Sequence, residues 1–191
     1  YKRQTEESEG DNASDTSLRC EITYLLMASF IDAYKYYSYA VPLWLSEGFG
    51  HYYSRQISPE FVFVSDDVSY QNDPRRLWDW EPRVRGRAQH KAYVPAEELL
   101  SIVGPTNRSM LQQMEAWSRV EFLMAEPKRF AAFLGDLKGV PCYGDPPSSD
   151  QILALQRKAL TAAYGFDFEG FDEAWRKHVL KKYAKKLGGK R

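Results

Sequence analysis

Between Leu18 and Tyr34 the chain is apolar on two opposite sides of a helical wheel, and no other feature restricts its fold as tightly. Leu18, Ile22, Leu25, Leu26 and Ala33 fall on one side, while Cys20, Tyr24, Met27, Ile31 and Tyr34 fall on the other. A helix that is apolar nearly all round needs neighbours on both sides to leave water. The segment is therefore expected to be a central, buried helix. Thr16 or Ser17 supplies its N-cap and it runs to about Tyr36.

The remaining punctuation predicts a mainly α fold. Pro42 sits where a first helical residue would, and a second helix follows through Trp44, Leu45, Glu47, His51 and Tyr52. Gly48 and Gly50 inside it each cost roughly 1 kcal/mol of helix propensity, which points to another backbone passing close by. Further helices are expected over Pro95 to Ile102, Ser109 to Ala125, Pro127 to Lys138 and Gln151 to Tyr164, the last stopped by Gly165. Asp167 caps a final helix with Phe168, Phe171, Trp175, Val179 and Leu180 as its apolar stripe. Phe61 to Val64 reads as a short strand, and Ser65 to Tyr93, rich in Pro and Arg and without period, as a long loop. The three-proline stretch Pro141 to Asp150 reads as a linker.

At 191 residues, with 43% hydrophobic, 27% charged and 15% aromatic residues, the composition is that of one globular domain with many rings. Twenty-six basic residues balance twenty-six acidic ones, so no global field favours a polyanion. The charge is uneven, with Glu6, Glu7, Glu9, Asp11 and Asp15 at one end and Lys181, Lys182, Lys185, Lys186, Lys190 and Arg191 at the other. Residues 1–15 are read as a disordered acidic lead-in, 16–187 as the helical domain and 188–191 as a basic tail. Cys20 and Cys142 permit one disulfide, and no apolar run is long enough to cross a bilayer. The chain begins at Tyr1 without Met and is expected to be a piece of something longer.

Two segments carry chemical information: RCEITYLLM (Arg19 to Met27) and PLWLSEGFGHYY (Pro42 to Tyr53). Together they resemble the gluzincin metallopeptidases, which carry HExxH on a buried helix and W-L-x-E-G on the next. Side chains at i and i+4 share a helix face, so two imidazoles there can bind one zinc ion. The Glu after the first His takes a proton from metal-bound water, and the Glu of the second helix is the third ligand. Trp44, Leu45, Glu47 and Gly48 match that pattern, as does Glu21 at the general-base position. Both histidine positions differ: the first is Cys20 and the second Tyr24. Ala116-Trp117, Phe130 to Leu137, Tyr164-Gly165, Phe171 and Trp175 also resemble the family's helical lobe, so the likeness covers Leu18 to Leu187. A Tyr that the family often places one turn before that Trp is replaced by Gln113. The family's N-terminal sheet subdomain is not part of this chain.

The resemblance implies a zincin-like helical lobe with at most a short strand or hairpin, a vestigial base at Glu21, and vestigial metal positions at Cys20, Tyr24 and Glu47. A phenol with a reference pKa near ~10 must lose a proton before it binds zinc well. Without the metal, one carboxylate cannot supply Lewis acidity, water activation and orientation together. The expectation is a pseudo-peptidase without a cofactor, kept as a binding or assembly module for a protein partner or the rest of a larger chain. Two other readings stand beside it. In one, Cys20, Glu47 and His51 form a rearranged zinc site with Glu21 as base, since His51 lies four residues after Glu47. Against that, His51 reads as a helix-surface residue and Cys20 and Tyr24 as filling for a vacated pocket. In the other, the chain is a helical subunit that binds an acidic partner such as nucleic acid through the Lys-rich end and through Arg75, Arg76, Trp78, Trp80, Arg83, Arg85, Arg87 and Lys91, although Asp73, Asp79 and Glu81 interrupt that series. His90 and His178 stand alone.

Overall fold

The longest helix, α1 (Lys2–Ala33), begins fourteen residues before the expected cap. The computed structural model describes residues 2–35, 41–63, 79–102, 109–138 and 147–183. The backbone over 2–15 is helical rather than disordered. No proline occurs before Pro42, and once a helix is nucleated each added residue gains a hydrogen bond, so nothing local stops α1 from extending.

Among the described residues seven further helices follow: α2 (Leu43–Ile57), α3 (Trp80–His90), α4 (Ala96–Ser101), α5 (Met110–Met124), α6 (Pro127–Leu137), α7 (Ser149–Tyr164) and α8 (Phe168–Lys182). The described residues contain no strand, and 61–63 are irregular. Val64, the Pro141 to Asp150 linker up to 146, Cys142 and the basic tail lie outside the described residues. Local signals set most of the boundaries. Ser109 and Ser148 each close a capping box, with Gln112 and Gln151 as reciprocal partners. Asp167 accepts from the Gly170 N–H at 2.7 Å, and Gly165 takes the left-handed conformation (φ 76°) that ends α7. Pro42 and Pro95 are N-caps rather than first helical residues.

Part of the expected long loop is helix α3. Pro82 falls within its first turn, where a missing N–H costs nothing, and Arg and Ala carry it to Lys91, which is left-handed (φ 53°). Two of its arginines are spent inside the molecule. Arg85 donates to the Leu180 and Tyr183 carbonyls, and Arg87 Nε lies 2.6 Å from Glu115 Oε1. Trp80 is fully buried. Arg75, Arg76 and Trp78 are outside the described residues.

The helices enclose two apolar clusters. One gathers Trp44, Leu45, Leu99, Phe133, Leu160 and Phe171 from α2, α4, α6, α7 and α8; the other gathers Trp80, Val84, Trp175 and Val179 from α3 and α8. Helix α5 serves both, giving Ala116, Val120 and Leu123 to the first and Met110, Met114 and Trp117 to the second. The central element is therefore α5, not α1. Only one stripe of α1 is buried, through Cys20, Tyr24 and Ile31. Leu18, Ile22, Leu25, Leu26 and Phe30 are 48–62% exposed, and Tyr34 is also exposed.

A buried ionic network fixes α5. Arg119 donates to Asp172 Oδ1 (2.8 Å), to Glu115 Oε2 (3.4 Å) and to the Val94 carbonyl (2.7 Å), with its guanidinium carbon 4.2 Å from the centre of the Trp175 ring. Glu115 also accepts from the Val94 N–H, and Asp172 accepts from the Ala96 N–H at the start of α4. The carboxylates thus have several donors each, which is what allows charge to persist away from water.

Candidate functional site

The two motif segments do meet. α1 and α2 pack directly against one another, and α2 in turn packs on α5. Gly48 and Gly50 make both approaches close. A Cβ on Gly48 would stand 2.7 Å from the Ala116 carbonyl oxygen of α5, and one on Gly50 would stand 2.8 Å from the Tyr24 ring of α1. The small residues after Glu47 are there because backbone and ring occupy the space.

Trp44 and Leu45 anchor α2. Trp44 Nε1 donates to Gln156 Oε1 at 2.7 Å, and Gln156 Nε2 donates to the Leu100 carbonyl at 3.0 Å, so one indole ties α2 to α7 and α4. Leu45 is fully buried. The conspicuous half of the W-L-x-E-G segment is therefore core.

At the α1–α2 crossing, the residues at the two expected imidazole positions are packed. Cys20 is a buried free thiol whose Sγ donates to the Ser54 carbonyl at 3.6 Å. Burial pushes this thiol above its ordinary value, partly offset by the backbone of Ser58. Tyr24 stacks on Phe63 at 4.4 Å and tilts against His51 at 4.8 Å. His51 is not a surface residue: it is wholly buried, with Trp80 on its other side at 4.8 Å. Trp80 belongs to the segment expected to be loop, so no local signal indicated that α2 would be covered there. Glu47 is half-buried and Glu21 is exposed to solvent. Gln113 is buried on α5. Among the described residues, no three or more His, Cys, Asp or Glu side chains are grouped to hold a metal ion, Cys20, Glu47 and His51 included. His90 is exposed, and His178 is half-buried beside Phe122.

One turn beyond His51 on the same face of α2 lies Arg55, which sequence reasoning passed over. Its guanidinium carbon is 4.3 Å from the Trp80 ring centre and 5.0 Å from that of Trp117. The side chain is 3% exposed, and burial draws its pKa below the usual arginine value despite Glu81 nearby. The i+4 spacing from Glu47 through His51 to Arg55 was the available signal. Beside Arg55 opens a cavity of about 330 Å³, also bounded by Tyr52, Trp117, Glu121 and Lys182.

Beneath that cavity lies a polar chain. The Tyr183 hydroxyl is 2.9 Å from Ser118 Oγ and 2.5 Å from Glu121 Oε2, and Ser118 Oγ accepts from Trp175 Nε1 at 3.0 Å. Burial, then the Glu121 charge, hold the Tyr183 phenol well above its ordinary value, so it stays a neutral donor. Lys182 meets the other Glu121 oxygen at 3.1 Å.

No family model, curated protein or solved structure matches the chain.

Proposed function

We propose that this chain is a non-catalytic, peptidase-like helical lobe retained as a binding or assembly module. The observation that carries the reading is how the α1–α2 crossing is filled. A phenol ring stacked on Phe63 and a thiol donating to a main-chain carbonyl stand at the positions where a gluzincin would hold imidazoles. Both side chains behave as core, and Glu21 at the general-base position faces water. Polar ligands converging on a cation would leave room for that cation; here the Tyr24 ring fills the approach to Gly50.

The assembly half of the proposal draws on the other face of α1. Leu18, Ile22, Leu26 and Phe30 form one i, i+4 ridge, each about half exposed or more. Apolar patches of this kind on folded proteins mark contact surfaces more often than chance. A complementary apolar protein surface, in the same polypeptide or a partner, is what such a ridge takes.

Elemental analysis of the purified protein, paired with a peptide-cleavage assay with and without chelator, tests the reading. The expected result is substoichiometric zinc and no chelator-sensitive cleavage. Stoichiometric zinc with turnover that a chelator abolishes would remove the proposal.

A further inference from the structure

The guanidinium of Arg55 is held between two indoles, yet only one of its three nitrogens donates a hydrogen bond to the described residues. Nη1 donates to the Phe61 carbonyl at 3.3 Å. Among the described residues, Nε and Nη2 are buried and donate to no acceptor, and the indole Nε1 of the adjoining Trp80 is likewise buried without one. Nε and Nη2 make up one side of the guanidinium fork, the geometry that meets a carboxylate through two parallel bonds. Three buried donors without acceptors, in neighbouring side chains, call for an acceptor group.

Glu81 only partly answers. Its Oε2 lies 3.6 Å from Nη2, beyond hydrogen-bond range, and its side chain is 34% exposed, so it can swing to solvent. The second carboxylate of the cavity, Glu121, is already engaged by Lys182 and Tyr183. The open space is large enough for a small molecule, and Tyr52 and Trp117 give it flat apolar walls.

We propose that this cavity binds a small organic monocarboxylate with a flat apolar body, its carboxylate seated on the Nε/Nη2 edge of Arg55 in place of Glu81. The body lies against Trp117 and Tyr52, and Lys182 stands at the mouth as a second cation. The site is separate from the α1–α2 crossing and does not depend on the pseudo-peptidase reading.

Three probes with one body and different heads test it: benzoate, benzyl alcohol and benzylammonium. Binding is read from the indole N–H resonances of Trp80 and Trp117 in ¹H–¹⁵N spectra. Benzoate is expected to shift both saturably, with benzyl alcohol weaker by about tenfold or more, as loss of a charge-assisted fork implies. Benzylammonium is expected to leave them unmoved. Arg55→Lys keeps the charge and loses the fork, so benzoate should weaken by about tenfold or more. Because Arg55 is packed between rings, Glu81→Gln serves as a second variant: removing the internal competitor should tighten benzoate binding several-fold. The proposal is overturned if benzoate is silent up to its solubility limit or benzylammonium binds as well. Undiminished binding in a folded Arg55→Lys protein, or weaker binding in Glu81→Gln, overturns it equally.

Discussion

Helices α1 and α5 reverse what hydrophobicity alone assigns them. α1 is apolar on two faces over Leu18 to Tyr34, yet buries one stripe and leaves Leu18, Ile22, Leu26 and Phe30 in water. α5 carries Glu115 and Arg119 in its middle, yet both are fully buried and the helix contributes to both apolar clusters. Burial follows from having neighbours: α5 contributes to both apolar clusters, as α8 does, whereas the described side chains of α1 are covered along one stripe. Charge is no obstacle where the charged groups are paired: the two Nη atoms of Arg119 have Asp172, Glu115 and the Val94 carbonyl. An apolar face stays wet when nothing is present to cover it.

The sharpest way to break this comparison is at Arg119. Arg119→Met leaves Glu115 and Asp172 buried beside one another without their shared cation. It is expected to destabilise the fold by about 3–5 kcal/mol, measured by chemical denaturation. A loss below about 1 kcal/mol would mean that the network is not what holds α5 at the centre.

A middle-sized effect is expected where α2 meets α5. Gly48→Ala would place its Cβ 2.6 Å from Val120 Cγ2 and 2.7 Å from the Ala116 carbonyl oxygen, and the carbonyl is backbone that cannot turn aside. The strain of about 1–3 kcal/mol should exceed the roughly 1 kcal/mol gained in helix propensity. A variant more stable than wild type in thermal unfolding would show that the two helices are not in close contact.

The smallest effect on folding belongs to α1. Leu26→Lys on the exposed ridge should change stability by no more than about 0.5 kcal/mol, because the position is already half in water. The same change should reduce self-association or binding through the ridge, read by sedimentation. A large loss of stability would place Leu26 in the core and erase the contrast with α5.

Where signals were local, the sequence was a reliable guide. Ser109, Asp167 and Gly165 each act within one helical turn and bound helices as expected, whereas α7 starts at Ser149, two residues before the expected Gln151, because Ser148 caps it with Gln151. Gly48 and Gly50 rightly announced close approaches. Helix α3 was missed because its apolar stripe is a single row, Trp80, Val84 and Ala88, interrupted by Pro82 and arginines whose partners lie in α5 and α8. Cys20, Tyr24 and Glu47 were singled out by the resemblance of their segments, and α1 and α2, which carry them, do pack together. The burial of His51 was not legible, since Trp80 covers it from the segment expected to be loop. The i+4 spacing placed Arg55 on the face of Glu47 and His51, but its burial was illegible for the same reason, its aromatic neighbours lying 25 and 62 positions along the chain.

The sequence by itself determined that the chain is mainly helical, where most helices start and stop, and that no imidazole occupies the two expected positions of the α1 motif. Those properties depend on residues a few places apart, or on side-chain identity alone. Tertiary structure decided which helix is central, which face of α1 is covered, and that His51 and Arg55 lie among rings. Such outcomes turn on contacts between distant segments, whose free energy depends on which surfaces meet and not on the composition of either one.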